Sequence, residues 1–139
     1  MQPRIVFSMP QHSPWIAIVD DDAAVLKALA RLLRARALRA KTYNSAQDFL
    51  VNLSEELPKC LIVDLQMPKM SGLDLLQRLA REGIEIPSIV ITARDDHGLR
   101  ERCKFAGAIA FLLKPIEYAA LFSAIDDALR NSGNSHYFS

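Results

Sequence analysis

Short apolar runs alternate along this chain with longer segments in which apolar residues recur at helical spacing. The runs lie at residues 15–19, 40–43, 60–63, 88–91 and 108–112, and the second is the least apolar. Runs of this length and composition are typical of a parallel sheet whose two faces are covered by helices. The alternation therefore predicts an α/β fold of five strand–helix units, with the second strand at an edge of the sheet.

The segments between the runs carry the spacing and the end signals of amphipathic helices. Helices are predicted after the first strand, from Asn44 or Ser45 to residue 53, over residues 72–81 and over residues 117–130. Gly83 and Gly107 follow helical segments where a left-handed residue would end the helix. Gly72 is expected to let the preceding loop enter the third helix.

The composition is that of an ordinary globular domain. Half of the 139 residues are apolar, and 17 Lys+Arg balance 16 Asp+Glu, so net charge names no partner. We expect residues 15–130 to form the domain, between a flexible extension at 1–14 and a polar tail at 131–139. No apolar stretch approaches the roughly 20 residues needed to cross a bilayer. The cysteines are too few for a disulfide framework, so we expect a reduced, cytoplasmic protein without a membrane partner.

Polar side chains follow the carboxyl ends of four predicted strands. They are Asp20, Asp21 and Asp22 after the first strand, Asp64 after the third, Thr92 after the fourth and Lys114 after the fifth. In an open parallel sheet, ligands bind outside the carboxyl ends of the strands, where the strand order reverses. We therefore expect carboxylates, a hydroxyl and an ammonium group to meet at one edge of the sheet.

These residue types fit a phosphoryl-transfer site. Mg²⁺ prefers oxygen ligands, which Asp20, Asp21 and Asp64 can supply. Phosphoryl transfer needs an attacking oxygen and neutralisation of the charge on the phosphoryl oxygens. Asp64 can provide the attacking carboxylate. Lys114 and the Thr92 hydroxyl can contact the phosphoryl oxygens.

Four segments resemble the signature segments of the response-regulator receiver family of two-component signalling. They read IVDDD, IVDLQMPKMSGLDLL, IPSIVITA and FLLKP, and they occur in the family's order over about residues 15–130. The resemblance implies a flavodoxin-like (βα)5 doubly wound sheet of order 2-1-3-4-5, an order known for the family. The middle segments are most similar to receivers that precede a LuxR-type helix-turn-helix domain.

The resemblance also implies roles for single residues. It makes Asp64 the phosphoacceptor, and it assigns Mg²⁺ to Asp20, Asp21, Asp64 and the main-chain carbonyl of Gln66. Asp22 matches a position that is merely acidic in many members, so it stays outside the metal set.

A second group of roles concerns the response to phosphorylation. The resemblance makes Lys114 the lysine of the site, Thr92 the switch hydroxyl and Phe111 the switch aromatic. The implied function is a signalling module that accepts a phosphoryl group from a sensor histidine kinase. Such a module is no enzyme beyond catalysing its own phosphoryl uptake and hydrolysis.

Each residue alone has a simpler interpretation. Asp22 precedes a helix and suits a helix cap, while Phe111 suits either a core residue or a mobile switch. Thr92 alone could fill a strand and Lys114 alone could be a solvated charge. Only together with Asp64 do they indicate a phosphoryl site.

Two other classes compete with this interpretation. Phosphatases of the haloacid-dehalogenase type also form an aspartyl phosphate, but they need a second Asp where this chain has Gln66. A degenerate receiver that only binds partners is disfavoured by the complete set of acidic, hydroxyl and lysine residues. The sequence leaves open whether the chain is a stand-alone regulator or part of a DNA-binding one.

Basic residues crowd the first predicted helix and the segment after it. They are Lys27, Arg31, Arg34, Arg36, Arg39 and Lys41. No aromatic platform accompanies them, which favours a solvated face over direct nucleic-acid binding by this domain. By the resemblance, this face would help to orient the kinase. Movement of Thr92 and then Phe111 would reshape the surface formed by helix 4, strand 5 and helix 5, so we expect phosphorylation to promote a homodimer or the binding of a partner there.

Overall fold

Five parallel strands in the order β2-β1-β3-β4-β5 form the centre of the computed structural model, which describes residues 14–130. The strands are β1 Trp15–Val19, β2 Arg39–Tyr43, β3 Cys60–Asp64, β4 Ser88–Thr92 and β5 Ala108–Leu113. The helices are α1 Ala23–Ala35, α2 Ala46–Val51, α3 Gly72–Arg81, α4 His97–Phe105 and α5 Tyr118–Arg130. The predicted class, the order 2-1-3-4-5 and the edge position of the weakly apolar strand are confirmed. The extension and the tail predicted at the two ends lie outside the described residues, apart from Pro14.

The strand ends differ slightly from the prediction. β2 begins one residue earlier than predicted and β5 ends one residue later. β3 and β4 include Asp64 and Thr92, which the sequence predicts to lie just beyond the ends of these strands. The reason is that Asp64 still pairs with Ile91, and Thr92 still pairs with Leu113, in the parallel ladders. The site residues are therefore held by sheet hydrogen bonding as well as by their side chains.

Two helix ends also differ. Ser45, rather than the residue before it, caps α2 by accepting a hydrogen bond from the Asp48 N–H at 2.9 Å. α2 ends at Val51, two residues before the predicted end, where the Asn52 side chain caps it by donating to the Asp48 carbonyl at 2.8 Å. α5 begins at Tyr118, one residue later than predicted. Gly83 and Gly107, with φ of 71° and 111°, occupy the left-handed positions predicted after α3 and α4.

The sheet separates two apolar cores, because successive residues of a strand point to opposite faces. In β1, Ala17 and Val19 face one core, whereas Ile16 and Ile18 face the other. Helices α2, α3 and α4 supply Phe49, Leu75, Leu76 and Cys103 to the first core, and α1 and α5 supply Leu26, Leu29, Leu33, Leu121 and Ile125 to the second. With both faces covered, the strands offer room for polar side chains chiefly at their ends.

The structure also bears on the two cysteines and on membrane-spanning helices. Cys60 and Cys103 are both buried and unbonded to one another, and burial raises the pKa of the Cys60 thiol to about 12. Among residues 14–130, no helix is long and apolar enough to cross a membrane.

Candidate functional site

Asp64 lies at the carboxyl end of the central strand β3 and is 4% exposed. Its carboxylate is 3.5 Å from the Lys114 Nζ and accepts a hydrogen bond from the Gln66 N–H. Lys114 follows β5, and its N–H donates to the Thr92 carbonyl at 2.7 Å, which carries the lysine back towards the centre of the sheet. The fold thus brings the ammonium group to a carboxylate that is distant in sequence.

Asp20 is fully buried beside this pair. Its Oδ2 accepts a hydrogen bond from the Lys114 Nζ at 3.2 Å, and its Oδ1 accepts one from the Asp22 N–H at 2.9 Å. Its own N–H donates to the Tyr43 carbonyl on the edge strand at 3.1 Å. Asp20 is therefore fixed from three directions and can serve as a rigid anchor.

The adjacent acidic residues separate into two roles. Asp21 is exposed, and a carboxylate oxygen of Asp20, Asp21 and Asp64 can all lie within 4.8 Å of one another. Asp22 instead caps α1, accepting hydrogen bonds from the Ala24 and Val25 N–H groups at 2.9 and 3.4 Å. The structure therefore brings together the three predicted metal ligands and confirms the capping interpretation of Asp22.

The electrostatics of the cluster favour a bound cation. Burial raises the pKa of Asp64 to about 6, and repulsion by Asp20 adds to the rise, although Lys114 and the Gln66 N–H oppose it. Burial by itself would lower the pKa of Lys114, but attraction by Asp20 and Asp64 outweighs it, so the net direction is upward. One ammonium group thus leaves the carboxylates incompletely compensated. Clustered carboxylate oxygens with residual negative charge are the ligands that suit Mg²⁺.

Gly72 brings the start of α3 against the backbone of Asp64. A Cβ added at Gly72 would lie 2.5 Å from the Asp64 carbonyl oxygen, and the Gly72 N–H donates to the Leu65 carbonyl at 3.0 Å. Ser71 and Asp74 close a capping box at this helix end. The expected structural role of Gly72 is therefore confirmed. Glycine is needed here because the backbone of α3 approaches the backbone of Asp64 too closely to leave room for a Cβ atom.

Thr92 and Phe111 lie on the same face of the sheet. Thr92 ends β4, is fully buried, and its Oγ1 accepts a hydrogen bond from the Arg94 N–H at 3.1 Å. Phe111 on β5 is level with Val90, two residues before Thr92, and is partly buried against the same core. The ring therefore neighbours the hydroxyl diagonally across adjacent strands.

One contact at this place was not found from the sequence. The Arg100 guanidinium carbon lies 4.7 Å from the centre of the Phe111 ring. From the sequence, Arg100 is predicted only to belong to a charged surface. Its contact with Phe111 could not be predicted, because it depends on how α4 packs against β5. No local sequence signal marks this pair.

Comparisons with known proteins agree with this arrangement. Residues 16–126 match the family model described as the response regulator receiver domain. The chain belongs to this family. Its members are signalling regulators, and the matched region spans the whole acidic cluster, Thr92 and Lys114.

Several relatives show the same similarity. The chain is 44% identical over 115 residues to the response regulator protein TmoT of Ectopseudomonas mendocina, covering 83% of this chain and 52% of that protein. It is 39% identical over 113 residues to the transcriptional regulatory protein FixJ of Rhizobium meliloti, covering 81% and 55%. The crystal structure of FixJ-N matches with a TM-score of 0.77 at 37% identity, over 85% of this chain and 94% of that one. The receiver domain thus spans about half the length of these curated relatives.

Proposed function

We propose that this receiver domain accepts a phosphoryl group from a histidine kinase onto Asp64 and changes its surface in response. The observation that carries the proposal is the buried Asp64 carboxylate, which forms an acidic cluster with Asp20 and Asp21 and lies 3.5 Å from the Lys114 ammonium group, which also contacts Asp20. Such a carboxylate can act as a nucleophile, and the negative charge of the cluster favours binding of a cation.

In the proposed reaction, an Asp64 carboxylate oxygen attacks the phosphorus of the donor. A phosphorus–oxygen bond forms as the bond from phosphorus to the donor nitrogen or oxygen breaks, and the leaving group takes the electron pair. Lys114 neutralises charge on a phosphoryl oxygen, and the Thr92 hydroxyl donates a hydrogen bond to another. Water later hydrolyses the acyl phosphate and restores the Asp64 carboxylate.

The proposed metal ligands are Asp20, Asp21, Asp64 and the main-chain carbonyl of Gln66. When bound, Mg²⁺ would neutralise charge on the phosphoryl oxygens. The role of Asp20 is supported by its fixed position, and that of Asp21 by its exposure, which leaves its carboxylate free to approach an ion.

The decisive experiment is labelling with acetyl phosphate and Mg²⁺, followed by intact-mass analysis. We expect one added phosphoryl group on the wild-type protein and none on Asp64→Asn, because an amide is too poor a nucleophile. Asp22→Asn is the matched control, since Asn caps a helix about as well as Asp. Equal labelling of Asp64→Asn and the wild type would refute the proposal.

We propose that the response runs from Thr92 to Phe111. When the Thr92 hydroxyl follows the new phosphoryl oxygens, it vacates space on the face of the sheet that it shares with Phe111. The ring can then rotate inward, since an aromatic side chain has few rotamers and a large surface to bury. Their placement on adjacent strands supports this route.

The surface that this rotation would change is formed by α4, β5 and α5, which we call the α4–β5–α5 surface. Its charged residues include Arg100, Arg102, Lys104, Glu117, Asp126 and Asp127. Both signs of charge are present, which suits the self-complementary contact of a homodimer. We therefore propose that phosphorylation promotes dimerisation through this surface.

For the kinase we propose docking near α1. Lys27, Arg31 and Arg34 are exposed there. Arg36, which is also exposed, lies over the Phe122 ring at 3.8 Å, whereas Lys41 lies over the Trp15 ring at 4.4 Å on the opposite face of the sheet. Because the Phe122 ring is buried, it offers no stacking platform to a nucleic acid, which supports a protein partner near α1.

The output of the switch is proposed from the relatives. FixJ is a transcriptional regulatory protein by name, and this chain covers 55% of it. We propose that the domain controls transcription in the cytoplasm through a further, DNA-binding domain, rather than as a stand-alone regulator. The length of the parent open reading frame tests this choice directly.

A further inference from the structure

Arg100 connects two parts of the structure that the proposed switch would move. Its guanidinium carbon lies 4.7 Å from the centre of the Phe111 ring on β5. Its NH2 group also lies 3.6 Å from the Asp95 carboxylate, in the loop between β4 and α4. A single side chain on α4 thus touches both the aromatic ring and this loop.

The same loop is tied to the hydroxyl of Thr92. The Arg94 N–H donates to the Thr92 Oγ1 at 3.1 Å, and Asp95 is the next residue along the chain. A movement of Oγ1 towards Asp64 would break this hydrogen bond and free the loop to shift. The contacts therefore run without a gap from Thr92 through the loop to Arg100 and on to Phe111.

We propose that Arg100 is a positioning residue that holds Phe111 in its resting, partly buried position and thereby sets how readily the domain switches. This inference rests on the proposed function, which supplies the resting and the switched states. A cation over the face of an aromatic ring is attracted to it. Rotation of Phe111 inward would withdraw that face, so the contact stabilises the resting state alone.

The ring contact, rather than the ion pair, carries most of this effect. The Arg100 and Asp95 side chains are 41% and 68% exposed, and ion pairs exposed to this degree contribute little. Asp95 instead orients the guanidinium over the ring. Losing the ring contact should shift the balance between resting and switched states about two- to fivefold, the range of a partly exposed cation–π pair.

The test is the affinity for beryllofluoride with Mg²⁺, a mimic of the phosphoryl group, followed by NMR of the Leu65 amide in dilute, monomeric protein. We expect Arg100→Gln to bind the mimic two- to fivefold more tightly than the wild type, because the resting state has lost a contact. Arg100→Lys keeps a cation and should fall between the two. The matched control is Arg81→Gln, which removes an exposed arginine from α3 and should leave the affinity unchanged.

A double-mutant cycle separates positioning from a general effect of charge. In the Phe111→Leu background there is no ring to hold, so Arg100→Gln should have no further effect on affinity. A second measurement needs no mimic: in Arg100→Gln, contacts between the Phe111 ring and the Thr92 methyl group should strengthen in nuclear Overhauser spectra. An unchanged affinity, an equal gain in Phe111→Leu, or unchanged ring-to-methyl contacts would each overturn the inference. If the wild type does not bind the mimic at all, the proposed function fails instead, and the ring contacts alone then decide on Arg100.

Discussion

The two loops that follow β3 and β4 are held in opposite ways. The β3–α3 loop, residues 65–71, is fixed by backbone: Gly72 packs against the Asp64 carbonyl and donates to Leu65. The β4–α4 loop, residues 93–96, is largely exposed and is tied by side chains. Its contacts include the Thr92–Arg94 hydrogen bond and the long ion pairs Arg94–Asp96 at 3.9 Å and Arg100–Asp95 at 3.6 Å, and Asp96 at its end caps α4 by accepting a hydrogen bond from the Leu99 N–H at 3.1 Å.

This difference suits two separate roles, in which the β3–α3 loop supports phosphoryl uptake and the β4–α4 loop moves in response to it. An open groove of about 540 Å³ lies between the two loops and is lined by Gln66, Met67 and Arg94, so Arg94 borders free space. Backbone packing holds Asp64, the proposed acceptor, in place, whereas exposed side-chain pairs break at little cost. The first loop suits phosphoryl uptake, and the second suits movement.

The largest expected effect comes from adding one methyl group at Gly72, the first residue of α3, which packs against the end of β3. Gly72→Ala would place a Cβ 2.5 Å from the Asp64 carbonyl oxygen, and backbone on both sides leaves little room to relax. We expect the free energy of unfolding to fall by about 3 kcal/mol, as for other overpacked sites, and acetyl phosphate labelling to slow. Denaturant unfolding measures the first effect.

Gly98 in α4 is the matched control beside the other loop. A Cβ there would meet only the Asp96 Oδ1, at an ordinary 3.5 Å. Gly98→Ala should therefore be neutral or stabilising by up to about 1 kcal/mol, because Ala favours a helix. Equal losses in the two variants would show that the loops do not differ in rigidity.

A second effect concerns the charge of Asp64 in Mg²⁺-free buffer. The pKa of Asp64 is about 6 in the folded protein against 3.8 for an ordinary carboxyl. Between these values the native state holds a proton that the unfolded chain has released, so stability falls as pH rises through this window. Asp64→Asn removes the free-energy cost of holding a charged carboxylate in this buried position. It should therefore stabilise the protein by up to about 3 kcal/mol at pH 7.5, and hardly at all near pH 4.

Metal ions provide the control for this prediction. Millimolar Mg²⁺ should raise the melting temperature of the wild type at pH 7.5 by binding the native state, and should raise that of Asp21→Ala much less. Asp22→Asn should reproduce the wild-type pH profile, because Asp22 is a cap outside the cluster. A difference between Asp64→Asn and wild type that stays constant from pH 4 to 7.5 would contradict the electrostatic origin.

A third effect tests whether the β4–α4 loop carries the response. Thr92→Ala removes the hydroxyl that accepts from Arg94, so it should keep phosphoryl uptake but lose most of the dimerisation that beryllofluoride promotes. Coupling of this kind is typically about 1–3 kcal/mol, a shift in population rather than an absolute switch. Sedimentation with and without the mimic measures it. Thr92→Ser should restore the response, and a full response in Thr92→Ala would place the route elsewhere.

The features that the sequence predicted correctly are those that depend on local patterns. The apolar runs predicted all five strands, because strands buried on both faces leave a continuous signal, and the strand ends predicted that Asp20, Asp21 and Asp64 would meet. The ends themselves were missed by one residue at Asp64 and Thr92, because a ladder can continue through a polar residue.

Contacts that depend on tertiary packing were beyond the sequence. The clustering of three carboxylates predicts that at least one of their pKa values is raised, but that Asp64 carries the rise, chiefly through burial, depends on tertiary packing. The Arg100–Phe111 contact depends on how α4 lies against β5. Neither leaves a local pattern, since both are set by distances between elements rather than by spacing within one.

The smallest expected effect compares one side-chain tie in each loop. Asp74 accepts a hydrogen bond from the Ser71 N–H at 3.0 Å and closes the capping box of the rigid loop, whereas Asp95 makes only its long, exposed ion pair with Arg100. Asp74→Ala should lower the free energy of unfolding by about 0.5–1 kcal/mol, because a backbone donor loses its partner. Asp95→Ala should change it by less than about 0.5 kcal/mol, and high salt should remove that change, since solvent and salt screen exposed charges. Denaturant unfolding at low and high salt distinguishes the two. Equal destabilisation by both substitutions would mean that the β4–α4 loop is held as firmly as its neighbour and has no special freedom to move.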